Sequence, residues 1–186
     1  MQQTMRLLHI MDSDDYESCT RLTARHSARA ITVSDGMIAM IHSLESDYYK
    51  FPGGGIEPGE SRENALIRET LEETGLHVIP ETIEELGYIH RIRKSQKYED
   101  ECFVQNNYYY FCEVTDEVSE PEYSESEQAE RFEPVFVDPH IAFDANAKIP
   151  ESDPAYGMAY RENIVLDSLI EVLDAQEEQA PGQPAE

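Results

Sequence analysis

Three glutamates lie at helical spacing near the middle of the chain. Glu69, Glu72 and Glu73 are related as i, i+3 and i+4, so a helix would place them on one face. Like charges at this spacing destabilise a helix by roughly a few tenths of a kcal/mol per pair, and bound divalent cations would remove that penalty. Carboxylate oxygens suit Mg²⁺ or Mn²⁺. The spacing therefore indicates a metal site, although a chain with 39 acids also carries glutamates on ordinary solvated helix faces.

A glycine-rich loop, residues 53–60, comes directly before these glutamates. Its glycines permit backbone conformations and close approaches that a side chain would block. Glu60 ends the loop and could fold over the same face, and a backbone carbonyl from the loop could join the carboxylates around a metal. The loop lacks the Lys-Ser/Thr ending of a P-loop, so it supports the metal hypothesis and not a Walker-type nucleotide site.

The element that must position these glutamates is a helix over residues 61–74. Ser61 is a suitable N-cap, Glu63 falls in the first turn, and Gly75 stands just past the end. Upstream, Ser34-Asp35-Gly36 predicts a hairpin turn between two apolar runs. The predicted strands are residues 28–33, 37–42, 48–51, 86–93, 102–114 and 132–137.

Later segments complete the predicted architecture. In the long strand 102–114, the even positions look more buried than the odd ones. Residues 113–133 are rich in acids and predict a solvated loop, while Asp153-Pro154 can open a last helix. Strands on either side of one central helix predict an α/β fold with a mixed sheet. We predict an N-terminal strand and acidic linker over 1–24, a domain over 25–176 and a disordered tail over 177–186.

The composition excludes several functional classes. The 186 residues include 14 Lys+Arg and 39 Asp+Glu, giving a net charge of −25, which would repel a nucleic-acid duplex or an anionic membrane. Three cysteines without a CxxC pair predict neither a disulfide framework nor a zinc ribbon, and Cys102 and Cys112 read as core residues. No signal peptide or membrane span is predicted. We therefore expect a cytoplasmic protein.

The segment 54–76, called the box below, resembles the signature of the Nudix hydrolase family, G-x₅-E-x₇-R-E-U-x-E-E-x-G-U, where U is a bulky aliphatic residue. All seven fixed identities stand at the right spacing: Gly54, Glu60, Arg68, Glu69, Glu72, Glu73 and Gly75. Leu76 fits the final aliphatic position. Thr70 departs from the pattern where an aliphatic residue is usual, at a packing position and not at a ligand.

The resemblance implies both a fold and a reaction. Nudix domains are α/β/α sandwiches with a mixed sheet, and they typically hydrolyse a nucleoside diphosphate linked to another moiety with Mg²⁺ or Mn²⁺. By resemblance, Glu69, Glu72 and Glu73 would be metal ligands, Glu60 would contribute directly or through water, and the Gly54 carbonyl would complete the site. Arg68 would orient the glutamates. The proton acceptor would be a box glutamate or an acid from a distant loop, for which the candidates are Glu99, Asp100, Glu101, Glu125, Glu127 and Glu130.

Residues 88–98 form the one concentrated basic stretch, with Arg91, Arg93, Lys94 and Lys97 and no acid. Arg91 and Arg93 would share a strand face, where guanidinium groups could clamp a substrate phosphate. The alternative is an outer strand whose charges oppose edge-to-edge pairing. Tyrosines 108–110 alternate faces, so one or two could stack on a base, with core packing as the alternative.

Two functional hypotheses follow from these residues. The first is a metal-dependent pyrophosphohydrolase acting on a small nucleotide-type substrate, with a homodimer as a possible assembly. The second is a catalytically silent Nudix-fold nucleotide-binding or sensor module, which the complete set of box ligands disfavours. Messenger RNA decapping is opposed by the charge, and the family's isomerase branch needs a catalytic cysteine that the sequence does not place. The sequence does not name the substrate.

Overall fold

The computed structural model describes residues 5–179, and for residues 177–179 it describes the backbone only. Within this range the strands are β1 (Leu7–Asp12), β2 (Arg21–Ala24), β3 (Ser27–Ile31), β4 (Val33–Ser34), β5 (Met37–Ser43), β6 (Tyr48–Lys50), β7 (Gly53–Gly55), β8 (Leu76–Val78), β9 (Glu84–Lys94), β10 (Glu101–Phe111), β11 (Val114–Val118) and β12 (Phe132–Val137). The helices are α1 (Arg62–Thr74), α2 (Glu125–Ala129), α3 (Pro139–Asn146) and α4 (Tyr156–Gln179).

The chain divides into two compact units, of which the first runs up to Thr32 and continues over Phe51–Gln128. Its main sheet has the order β1-β9-β10-β3-β7, with β2 also paired to β10. Pairs β1/β9, β2/β10 and β3/β10 are parallel, whereas β9/β10 and β3/β7 are antiparallel. The predicted α/β class with a mixed sheet is therefore confirmed.

Strands β2 and β3 lie end to end along one side of β10, with a break between them at residues 25–26. The backbone N–H of Arg25 still donates to the Val104 carbonyl at 3.0 Å. The next amide of β10 along the break, that of Asn106, donates to Nδ1 of the His26 ring at 3.1 Å. The His26 side chain therefore accepts the backbone N–H that would be unpaired where the strand pairing is interrupted.

Helix α1 forms where the sequence predicts it. The Ser61 hydroxyl accepts the N–H of Asn64 at 3.1 Å, and Gly75 ends the helix in the left-handed region with φ of 74°. Ala65 and Leu66 are fully buried against a core that contains Tyr108 and Tyr110 of β10. This packing places α1 on the sheet face to which the even-numbered side chains of β10 point.

The departure from the family pattern at Thr70 leaves an unpaired hydroxyl in the core. Thr70 is 1% exposed, and its Oγ1 has no hydrogen-bond partner among residues 5–179. Thr70→Val should raise the free energy of unfolding by about 1 kcal/mol, because it replaces an unsatisfied polar atom with a methyl group of similar size. Denaturant unfolding measures the change.

Thr74→Val is the matched control for this prediction. The Thr74 hydroxyl donates to the Thr70 carbonyl at 2.6 Å and accepts the Leu76 N–H at 3.0 Å, so its loss should destabilise the chain. A Thr70→Val protein that unfolds more easily than the parent would contradict the assignment.

The second unit comprises Val33–Lys50 and the chain from Ala129 onward. Its sheet has the order β12-β5-β4, with β6 paired to β5, and all of these pairs are antiparallel. Asp35 and Gly36 both have positive φ, as the predicted two-residue hairpin turn requires. The Asn146 side chain accepts the Tyr49 N–H at 2.7 Å and donates to the Tyr49 carbonyl at 3.0 Å, which ties α3 to β6.

Three expectations about the elements need correction. Strand β10 ends at Phe111, and residues 107–110 are buried on both faces, not only at even positions. The odd face is covered as well, since Tyr109 makes an edge contact with Phe51 at 5.9 Å.

The acidic stretch 113–133 contains β11 and the short α2, although most of its side chains are exposed. Helix α3, which the sequence analysis missed, begins with Asp138 as N-cap and Pro139 in its first turn.

Other expectations agree with the structure. Strand β12 covers residues 132–137 as predicted, and Cys102 and Cys112 are buried free thiols.

No helix in residues 5–179 is both long and apolar enough to cross a membrane. The domain limits stay predictions: β1 and β2 fall within 1–24, α4 continues to Gln179, and residues 1–4 and 180–186 lie outside the described residues.

Candidate active site

Arg68 is the centre of the box. Its Nε and Nη2 atoms donate to the two carboxylate oxygens of Glu60 at 2.9 and 3.0 Å. Its Nη1 donates to Glu69 at 2.8 Å and to Glu72 at 3.2 Å, and Nη2 also donates to the Gly55 carbonyl at 3.1 Å. One guanidinium therefore contacts three of the four signature glutamates and the glycine loop, and its role in orienting the glutamates stays a prediction.

Glu73 is held by the loop and not by Arg68. Its side chain is 3% exposed, and its Oε2 accepts the backbone N–H of Gly53 at 2.9 Å. Strand β7 presents this N–H because it pairs with β3, which places Arg29 opposite Gly53. The loop backbone is thus fixed by the sheet on one side and by a buried carboxylate on the other.

Gly54 allows the carboxylate of Glu69 to lie directly against the loop. A Cβ built on Gly54 would stand 2.1 Å from Oε2 of Glu69, closer than any real contact. Glycine is therefore required at this position, because the side chain of any other residue would occupy the place of the carboxylate. This is a close approach of the kind expected from the loop glycines.

The charges of the fixed residues do not cancel. The four signature glutamates, Glu60, Glu69, Glu72 and Glu73, and Arg68 together carry a net charge of −3, and Arg68 contacts the first three of them. Hydrogen bonds from Arg68, and then from the N–H of Glu57, lower the pKa of Glu60, so it is an anion at neutral pH. Hydrogen bonds to Glu60 and then to Glu69 raise the pKa of Arg68.

This donor set fits a divalent cation in its chemistry. Hard oxygen ligands with excess negative charge are what Mg²⁺ and Mn²⁺ prefer. Within residues 5–179 no three acidic, histidine or cysteine side chains converge on a common point suited to a metal. Glu60, Glu69 and Glu72 instead form ion pairs with Arg68.

The acids predicted from the sequence as distant proton acceptors lie in three different parts of the fold. Asp100 forms an exposed ion pair with Arg21 at 3.0 Å, beside Glu99 and Glu101. Glu125 and Glu127 lie in α2, whereas Glu130 belongs to the second unit and accepts the Ser43 hydroxyl at 2.7 Å.

A part of the acidic stretch that was not singled out from the sequence is joined to α1. The N–H of Ser119 donates to the Gly75 carbonyl at 2.8 Å, and the N–H of Glu122 donates to the Glu72 carbonyl at 2.7 Å. Glu120 and Glu122 are exposed on this segment. Two backbone hydrogen bonds thus bring an acid-rich loop to the end of the glutamate helix.

Arg91 and Arg93 lie on a central strand, because β9 pairs with both β1 and β10. The alternative of an outer charged strand is therefore wrong. The two arginines are paired with Gln105 and Phe103 at odd positions of β10, so they project from the face opposite to α1. Their role as a phosphate clamp stays a prediction. Tyrosines 108–110 are all buried, which favours the core alternative.

The structure reveals a cavity of about 740 Å³ beside the box loop, on the α1 face of the sheet. Its lining includes Arg25, His26, Ile56, Glu57, Arg62 and Tyr108, and we call it the arginine cavity. Of these residues, only Tyr108 was considered from the sequence, as one of three tyrosines that could stack on a base. Arg25 and His26 gave no signal because they occupy a strand break, and Arg62 looked like an ordinary first-turn helix residue.

Comparison with known proteins supports the resemblance of the box. The family model for the NUDIX domain matches residues 24–155. The chain is similar to a NUDIX hydrolase from Nitrosomonas europaea, with 15% identity, 75% of this chain and 88% of that chain covered, and a TM-score of 0.53. It is also similar to the ORF135 protein of E. coli, with 20% identity, 89% and 96% covered, and a TM-score of 0.51. Both likenesses show a shared fold.

Proposed function

Because this chain belongs to the Nudix hydrolase family, whose model matches residues 24–155, we propose that it hydrolyses a phosphoanhydride bond in a nucleoside diphosphate linked to another moiety, using Mg²⁺ or Mn²⁺. The observation that carries this proposal is the box itself. One guanidinium contacts three of the signature carboxylates, a loop N–H contacts the fourth, and none of the seven fixed positions is substituted.

The signature glutamates would hold the cation. Glu69, Glu72 and Glu73 would be ligands, with Glu60 and the Gly54 carbonyl as further oxygen donors. A divalent cation bound there neutralises phosphate charge and lowers the pKa of the attacking water. Arg68 keeps Glu60, Glu69 and Glu72 in register by hydrogen bonds, and the Gly53 N–H does the same for Glu73.

The proton of the attacking water passes to a carboxylate. Box glutamates are one source of this base, and the acid-rich loop attached to the end of α1 is the other. Glu120 and Glu122 are better supported than Glu99, Asp100 and Glu101, because backbone hydrogen bonds tie their loop to Glu72 and Gly75. Asp100 is already paired with Arg21.

A hydrolysis screen tests the proposal. The full chain is incubated with dinucleotides, nucleotide sugars and nucleoside triphosphates, with Mg²⁺, with Mn²⁺ or with a chelator, and products are identified by mass. We expect a nucleoside monophosphate or phosphate to be released with either metal and nothing to be released with the chelator. Nucleotide binding without turnover across the whole panel would favour the sensor hypothesis instead.

A further inference from the structure

The arginine cavity lies next to the box and has the volume of a ligand site. Pockets that hold small molecules usually measure about 300–1,000 Å³, and this one measures about 740 Å³. Glu60 lines it on the box side, so the cavity and the candidate metal site share a wall.

Two neighbouring glycines connect the cavity to the box. The Glu69 carboxylate lies against Gly54, and the guanidinium of Arg25 lies against Gly55, where an added Cβ would stand 2.9 Å from Nη2. The Arg25 guanidinium is therefore placed one loop residue away from a predicted metal ligand. A substrate phosphate at the metal site would have a second cation beside it.

Among the described residues, neither guanidinium of the cavity forms an ion pair, although Glu57 and Glu60 line the same cavity. Arg25 is exposed, and Arg62 lies over the Tyr108 ring at 3.8 Å from its centroid. Within residues 5–179 neither one has a carboxylate partner. Glu60 also lines the cavity, but its oxygens accept hydrogen bonds from Arg68 and from the Glu57 N–H. In a chain of net charge −25, two arginines without acidic partners at one cavity indicate an anionic ligand.

The floor of the cavity adds a neutral donor. Nδ1 of His26 accepts the Asn106 N–H, so the neutral ring carries its proton on Nε2. Partial burial and the nearby Arg62 lower the pKa of His26, which keeps the ring neutral. The side chain of Asn106 binds both His90 at 2.7 Å and the Tyr108 hydroxyl at 3.1 Å, which fixes this wall.

We propose that Arg25 and Arg62 bind a phosphate of the substrate other than the one attacked by water. The inference rests on the proposed function and extends it, because it assigns the phosphate that is not attacked to the arginine cavity. Guanidinium groups match phosphate geometry through paired N–H donors, and Arg62 is already oriented by its contact with Tyr108.

Binding of inorganic pyrophosphate to the metal-free full chain tests this site without turnover. Arg25→Gln should weaken binding about 10- to 100-fold, as expected for losing a hydrogen bond to a charged group. Arg25→Lys should recover part of the affinity. Arg21→Gln is the matched control, since Arg21 is exposed, lies on the adjoining strand β2 and pairs with Asp100 outside the cavity.

Kinetics on the substrate found in the screen give the second readout. Arg25→Gln should raise KM by the same factor and leave kcat within about threefold, because the contact is made equally before and during bond cleavage. Equal pyrophosphate affinity for Arg25→Gln and the parent, or an equal loss in Arg21→Gln, would overturn the proposal. Absence of turnover would contradict the proposed function alone, since the pyrophosphate titration does not depend on hydrolysis.

Discussion

Glu73→Gln is expected to lower kcat/KM by about 10³-fold while the chain stays folded, because metal-borne charge stabilisation amounts to several kcal/mol and each 1.36 kcal/mol is a factor of ten. The side chain is buried, and its Oε2 accepts the Gly53 N–H. A carboxamide oxygen can accept the same hydrogen bond. The substitution therefore removes the charge and keeps the packing.

The measurement is steady-state hydrolysis with Mg²⁺, together with thermal unfolding. Glu63→Gln is the matched control, because Glu63 is exposed in the first turn of the same helix and is not one of the four signature glutamates. We expect it to retain full activity. A Glu73→Gln protein with more than about a tenth of the parent activity would show that this carboxylate is not needed for the reaction.

Gly54→Ala is expected to reduce activity by about 10²- to 10³-fold with little change in stability, a loss comparable to that from misplacing a single catalytic group. The added methyl would occupy the space of the Glu69 carboxylate, since the built Cβ stands 2.1 to 2.7 Å from both of its oxygens. These atoms end a flexible side chain that can move aside. The fold therefore survives, and Glu69 leaves its position.

Gly59→Ala separates this effect from general disturbance of the loop. Gly59 has φ of 85° and nothing within 4 Å of an added Cβ, so alanine there strains the backbone without displacing a carboxylate. We expect a stability loss of about 1 kcal/mol and nearly full activity at 25 °C. If Gly54→Ala and Gly59→Ala lose activity equally, loop strain is the cause and the displacement of Glu69 is not.

Local signals explain why the box helix could be predicted from the sequence. Ser61 and Gly75 act within a few residues of where they stand, and both caps are found in the structure. The Asp35-Gly36 turn is local in the same way. The candidate metal ligands were named because their spacing matches a family signature, and Arg68 contacts three of these four glutamates.

Long-range packing explains what the sequence did not reveal. Tyr109 is buried because Phe51, far away in the chain, covers its face of β10, and no alternation of residue types records this contact. Arg25 lies next to the box because it occupies the break between β2 and β3, which both pair with β10. Arg91 and Arg93 formed the more visible basic pattern, yet strand pairing turns them away from α1.

Helix α3 was a missed local signal, since Asp138-Pro139 has the same form as Asp153-Pro154.

Gly54 and Gly55 give the site an unusual sensitivity to mutation. Each holds a side chain of opposite charge from elsewhere in the chain, a glutamate from α1 and an arginine from the strand break. A single methyl group would displace the Glu69 carboxylate at Gly54 and push on the Arg25 guanidinium at Gly55, and in both cases the net charge of the protein would stay the same. Drift at these two positions could therefore redirect substrate preference during evolution without any exchange of a polar residue.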